Sequence, residues 1–133
     1  EPIVAGRADA VYGSRFLKSV IDNNRIVYRR GYTFSRALNH FSNFLSGLDL
    51  SDVYTGYKVF SREAVDKIFP DIKSDRFGIE VELTAYAAKK KMRVVEVPIS
   101  YQGRTYEEGK KIDWKDGLAA IWHIVRFNLL TRI

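Results

Sequence analysis

Arg104, Lys110 and Lys111 fall within one polar stretch, residues 102–111, which contains Gly103 and Gly109 and comes two residues after Val94-Val95-Glu96-Val97-Pro98-Ile99. Cations on a glycine-punctuated connection leaving a strand suit an anionic ligand such as a phosphate or diphosphate, because guanidinium and ammonium groups form charge-assisted hydrogen bonds. A solvated basic hairpin accounts for the same residues equally well. A further cation, Arg15, follows Gly13-Ser14 at the end of a short apolar run. The C-terminal ends of strands are where α/β sheets bind ligands, although an ordinary surface arginine has the same sequence context. Ser51-Asp52-Val53-Tyr54-Thr55-Gly56 is a small polar turn ahead of Lys58-Val59-Phe60. It is either plain turn chemistry or a carboxylate and a hydroxyl presented to a pocket.

The elements that must position these groups follow from side-chain periodicity. Val94, Val95, Val97 and Ile99 are β-branched and predict a strand, with Pro98 placing it at a sheet edge or ending its pairing. Ala8–Tyr12 predicts a second, buried strand that ends in a Gly-Ser turn. Residues 18–30 are polar and basic and predict a mobile loop. Phe34, Leu38, Phe41 and Leu45 recur at helical steps and predict a helix from about Tyr32 to Ser46, capped by Gly47, with Ser35, Arg36 and Asn39 on other parts of its surface. His40 is assigned no chemistry. Ser61 is placed to cap a helix over residues 62–68 that Pro70 stops. Phe77–Lys91 predicts a helix with Ile79, Leu83, Tyr86 and Ala87 inward; the helix dipole explains Glu80 and Glu82 near its start and Lys89, Lys90 and Lys91 at its end. In the last helix, Asp113–Arg132, Leu118, Ile121, Trp122, Val125 and Leu129 form one stripe that Ala120, Ile124 and Phe127 widen. So broad an apolar surface suits packing against other parts of the protein or a membrane interface. The expected class is α/β, with roughly three or four strands in a mixed sheet flanked by about four helices.

Composition sets outer limits. The 133 residues are 46% hydrophobic and 29% charged, which is globular and not disordered composition. No cysteine is present, which excludes disulfides, thiolate metal sites and cysteine nucleophiles. The formal net charge of +6 favours an anionic partner: nucleotide, phospholipid surface or nucleic acid. Nucleic acid is disfavoured, since the aromatics mostly fall at core-facing helical steps. The run Leu118–Leu130 is interrupted by His123, Arg126 and Asn128 and is too short to span a bilayer.

Several short motifs occur together in one order: Asp9-Ala10-Val11-Tyr12-Gly13-Ser14-Arg15, Ser35-Arg36 with Asn39, Ser51-Asp52, Thr55-Gly56-Tyr57-Lys58, and Phe77-Gly78-Ile79-Glu80-Val81-Glu82. They continue with Glu96-Val97-Pro98-Ile99-Ser100-Tyr101, Gly103-Arg104-Thr105-Tyr106, Gly109-Lys110 and Trp114-Lys115-Asp116-Gly117. With these the sequence resembles the C-terminal half of a family 2 glycosyltransferase catalytic domain, nearest the dolichol-phosphate mannose synthase-like, polyprenyl-phosphate sugar transferases. The resemblance implies that residues 1–133 are the acceptor-side part of a GT-A type fold, a mixed sheet flanked by helices. It implies an inverting transfer of a mannose- or glucose-type sugar from a nucleotide-sugar to a polyprenyl phosphate. The lipid phosphate is already anionic at neutral pH, so the protein must hold two phosphate-bearing substrates together rather than supply a strong base.

By the same resemblance Arg15 and Asp52 are catalytic candidates, and Arg15, Arg104 and Lys110 would bind the donor phosphates. Arg30 (or Arg29), Ser35 and Arg36 would hold the acceptor phosphate, and Thr55, Gly56, Lys58 and Glu80 would line the cleft. The full enzyme of this kind uses Mg²⁺ or Mn²⁺ held by an Asp-x-Asp motif. No Asp-x-Asp occurs in these residues. The chain alone is therefore expected to bind no metal and to be inactive. A location at the cytoplasmic face of a membrane is expected, with self-association or strand exchange through bare apolar surface. The alternative is a non-catalytic basic module that binds anionic lipid or nucleic acid.

Overall fold

The computed structural model describes residues 2–17, 29–74, 78–99 and 114–131. A three-stranded mixed sheet has the order β2-β1-β3, with β1 spanning Ala10–Ser14, β2 Lys58–Phe60 and β3 Val94–Pro98. The central β1 runs antiparallel to β2, pairing Val11 with Val59, and parallel to β3, pairing Tyr12 with Glu96 and Ser14 with Pro98. Pro98 lies at the last pairing position of β3, where the missing donor costs the ladder least.

Among the described residues four helices accompany the sheet: α1 (Arg29–Ser46), α2 (Arg62–Ile68), α3 (Gly78–Lys89) and α4 (Trp114–Val125). A short 3₁₀ turn, Phe69–Asp71, follows α2, and a π-helical turn, Arg126–Leu130, follows α4. The mixed α/β class is the one the sequence predicts. Helix α1 starts at Arg29, within the stretch expected to be loop, while residues 18–28 lie outside the described residues. It ends where predicted: Gly47 has φ +81°, and its amide donates to Asn43 O at 2.8 Å. Ser61 caps α2 as expected, its Oγ accepting from Ala64 N at 3.1 Å.

The core lies between the sheet face bearing Ala10 and Tyr12 and the helices, and it gathers Leu38, Val81, Leu83, Tyr86, Ile124 and Phe127. Tyr12 is fully buried, and its hydroxyl meets Thr84 Oγ1 at 2.9 Å, tying β1 to α3. Seven consecutive residues of α3, Val81 to Ala87, are buried, so this helix has no solvated side along that stretch. One of the seven is Glu82. Its carboxylate accepts from Lys73 N at 2.7 Å, Ser74 N at 3.0 Å and Tyr86 Oη at 3.2 Å. Glu82 thus closes the chain after α2 onto α3, and burial, with Glu82 adding to it, pushes the Tyr86 hydroxyl up to about 12.

Helix α4 has two apolar sides. Ala120 and Ile124, continued by Phe127, enter the core, whereas Leu118, Ile121, Trp122, Leu129 and Leu130 are exposed. Four members of the stripe predicted from the sequence therefore face out, and the residues read as widening it face in. No described helix is long and apolar enough to cross a membrane.

Candidate functional site

At the C-terminal end of β1 the chain turns outward at Arg15, and β3 ends alongside it. Ile99 N donates to Ser14 O at 3.0 Å. Ile99, the last described residue after β3, therefore lies beside Ser14, one residue before Arg15. Arg104 and Lys110 themselves lie outside the described residues. Gly13 permits the approach, since a Cβ there would stand 2.7 Å from Ile99 Cγ2 and 3.0 Å from Tyr57 Cβ.

The 48–55 segment packs against this end of β1, and polar side chains from two elements hold it. From α1, Asn43 accepts from Leu50 N at 3.0 Å and donates to Leu50 O at 2.8 Å. One helical turn earlier, Asn39 donates to Ser51 O at 2.9 Å and accepts from Val53 N at 2.8 Å. From β3, Glu96 accepts from Ser51 N at 2.8 Å, from Asp52 N at 3.1 Å and from the Ser51 hydroxyl. The Ser51 proton is thus committed to the carboxylate, so Ser14 Oγ donates to Ser51 Oγ across 2.5 Å. Burial raises the Glu96 carboxyl above the ordinary glutamate range, and the three donors from Ser51 and Asp52 oppose the rise.

Held in this way, Asp52 is fully buried and faces Arg15. Its Oδ2 accepts from Arg15 Nε at 2.7 Å and from Arg15 N at 3.0 Å, and its Oδ1 accepts from Nη2 at 2.8 Å. This is the two-pronged geometry in which a planar guanidinium is held both in place and in orientation. Behind it, Lys58 donates to Val53 O at 2.7 Å, to Thr55 O and to the Glu80 carboxylate, and its Nζ stands 4.8 Å from the centre of the Tyr12 ring. Burial draws the Lys58 ammonium below its usual range against the pull of Glu80. The Tyr54 hydroxyl is buried beside this cluster without a hydrogen-bond partner among the described residues, and burial and Glu80 raise it well above the phenolic range.

The structure thus brings Arg15, Asp52, Thr55, Lys58 and Glu80 into one cluster. Gly56 is exposed at its edge, and the Thr55 hydroxyl is turned onto Tyr57 N at 3.2 Å. Arg36 is exposed on α1 one turn ahead of Asn39, while the side chains of Arg29, Arg30 and Ser35 lie outside the described residues. Sequence reasoning overlooked Glu96 and placed Asn39 on the surface of α1, whereas Asn39 is buried. The available signals were an acidic residue inside a valine run and two asparagines four apart on one helix face.

Among the described residues no three His, Asp or Glu side chains gather around one point. Asp52, Glu80 and Glu96 already serve Arg15, Lys58 and backbone amides. These three carboxylates are thus engaged by the chain's own cations and amides.

Comparison with known proteins gives the class. The chain is 33% identical over 98 residues to a polyprenol monophosphomannose synthase of Mycolicibacterium smegmatis, covering 73% of this chain and 36% of that protein. It is 29% identical over 126 residues to an undecaprenyl-phosphate mannosyltransferase of Micrococcus luteus, covering 94% of this chain and 51% of the relative. With a dolichyl-phosphate beta-glucosyltransferase of Saccharomyces cerevisiae the identity is 28% over 99 residues, 74% of this chain and 27% of the relative. No family model and no solved structure matches the chain. By family the chain is a glycosyltransferase. Within that class it belongs with the family 2 polyprenyl-phosphate glycosyltransferases, and it spans between about a quarter and half the length of these relatives.

Proposed function

We propose that this chain is the acceptor-side part of a GT-A type catalytic domain that moves a mannose- or glucose-type sugar from a nucleotide-sugar to a polyprenyl phosphate. The observation that carries the reading is the meeting of the C-terminal ends of β1 and β3, where Ile99 N donates to Ser14 O one residue before Arg15. Cations on both sides of that junction offset repulsion between two phosphate-bearing substrates, and the lipid phosphate attacks the anomeric carbon as the sugar leaves its diphosphate. Arg15, Arg104 and Lys110 meet the donor phosphates. Arg30, Ser35 and Arg36 on α1 take the acceptor phosphate. A divalent cation, Mg²⁺ or Mn²⁺, would serve the whole enzyme and would be held by carboxylates outside residues 1–133.

The lipid substrate implies a membrane surface, and the outer stripe of α4 supports one. Trp122 flanked by Leu118, Ile121, Leu129 and Leu130 is an apolar face with an amphipathic ring, on a chain of net charge +6. The expected location is the cytoplasmic face. A second copy of the chain would cover the same stripe.

Incubating the protein that carries this chain with labelled mannose and glucose nucleotides and undecaprenyl phosphate should place label in the lipid fraction, while residues 1–133 alone should transfer none. Absence of transfer from every donor tried would refute the reading, and brisk turnover by residues 1–133 alone would refute the half-domain assignment. Flotation with anionic vesicles should weaken on Trp122→Ser. Sedimentation as a dimer that the same substitution dissociates would assign the stripe to self-association instead.

A further inference from the structure

We propose that Asp52 works through Arg15 and never on the substrate: its carboxylate anchors the guanidinium at the end of β1, and Glu96 anchors Asp52. The proposal rests on the reading that Arg15 meets a substrate phosphate. A carboxylate in a transferase site invites the role of general base, and two observations and one chemical argument oppose that role here. Asp52 is 0% exposed. Both of its oxygens are engaged by Arg15, Oδ2 twice and Oδ1 once. The proposed nucleophile is a phosphate oxygen that carries no proton to remove at neutral pH.

The anchoring has a second tier. A carboxylate on a free turn would let the guanidinium swing, because the pair would move as a unit. Glu96 removes that freedom by taking the amides of Ser51 and Asp52, and it stands on β3 directly opposite Tyr12 of β1. Asn39 fixes the same turn from α1 through Ser51 O and Val53 N. The orientation of Arg15 is thus referred to the sheet and to one helix, which is how a charged group is pre-set for a ligand before the ligand arrives. Asp52, Glu96 and Asn39 are positioning residues, and Arg15 is the group that touches phosphate.

A double-substitution cycle tests this in the full protein, with affinity for inorganic diphosphate by calorimetry and sugar transfer as readouts. Asp52→Asn should lower diphosphate affinity and kcat/KM by roughly tenfold or more, and should cost almost nothing further once Arg15→Met is in place, because interacting residues are non-additive. Glu96→Gln should repeat the pattern at smaller size and guards against a failure of Asp52→Asn to fold. In Asp52→Asn the kcat/KM pH profile should fall uniformly without losing its acidic limb. Equal Asp52→Asn losses with and without Arg15, or a lost acidic limb, would overturn the proposal and make Asp52 a base. Wild-type protein that neither binds diphosphate nor transfers sugar would fail the underlying reading and this one with it. Wild-type activity with additive losses would fail the anchor alone.

Discussion

Replacing Lys58 with methionine isolates the interaction that binds β2, the 53–55 turn and α3 together. The substitution keeps most of the aliphatic length and removes only the ammonium. Three acceptors lose their donor: Val53 O, Thr55 O and the Glu80 carboxylate. Val53 and Thr55 are buried, so water does not readily replace the donor at the two carbonyls. The Glu80 side chain keeps 22% exposure against 5% for Lys58, so its carboxylate is partly rehydrated. Breaking a buried pair by removing one partner costs about 3–5 kcal/mol, and the partial exposure of Glu80 sets the expectation at the lower end, about 3 kcal/mol. Urea denaturation of wild type, Lys58→Met, Glu80→Gln and the double variant gives the test. Lys58→Met should be the costlier single change, and the double variant should be more stable than the sum of the singles implies. A cost under about 1 kcal/mol, the level of a solvated surface pair, would refute the inference that this ammonium is held by the fold.

Two further substitutions probe the same neighbourhood and its far side. Gly13→Ala should destabilise by about 1–3 kcal/mol through overpacking, because the new methyl meets Ile99 Cγ2 at 2.7 Å; a neutral result in urea melts would show that Ile99 yields freely. His123 is held below its usual range by burial, with Arg126 adding to the effect and Glu82 opposing it, and its Nδ1 lacks a partner among the described residues. The unfolded chain therefore takes up a proton that the folded one resists. The His123 contribution is complete above about pH 6.5 and is lost as pH falls from there toward the folded value. Urea midpoints at pH 7.5 and 5.5 should differ less in His123→Gln than in wild type; an unchanged difference would exclude this histidine as a source of the acid sensitivity.

What the sequence disclosed and what it hid divide along the range of the interactions. The end of α1, the Ser61 cap and the β-branched strand β3 depend on residues a few positions apart, and all three were legible. Glu82 read as an ordinary first-turn acid, because nothing local reveals that two amides from residues 73 and 74 return to it. Glu96 and the Ser51–Asp52 turn are more than forty residues apart, and no periodicity connects them. On α4 the period correctly marked a helix with apolar residues nearly all round. Which side turns inward depended on the helices it packs against, and there the smaller Ala120, with Ile124 and Phe127, took the core instead of Trp122.

The pairing within the cluster decides where a salt-sensitive response must originate. Arg15 and Lys58 are matched by Asp52 and Glu80, and Glu96 adds one more carboxylate, so with all five ionised the floor of the site carries two positive against three negative charges. With a net charge of +6 on the whole chain, the residues outside the cluster carry a net of seven positive charges. An incoming polyanion would be drawn from a distance by those outlying cations, and ionic strength would govern how fast it arrives. The inner pairs, shielded from mobile ions, would govern how it is held once there.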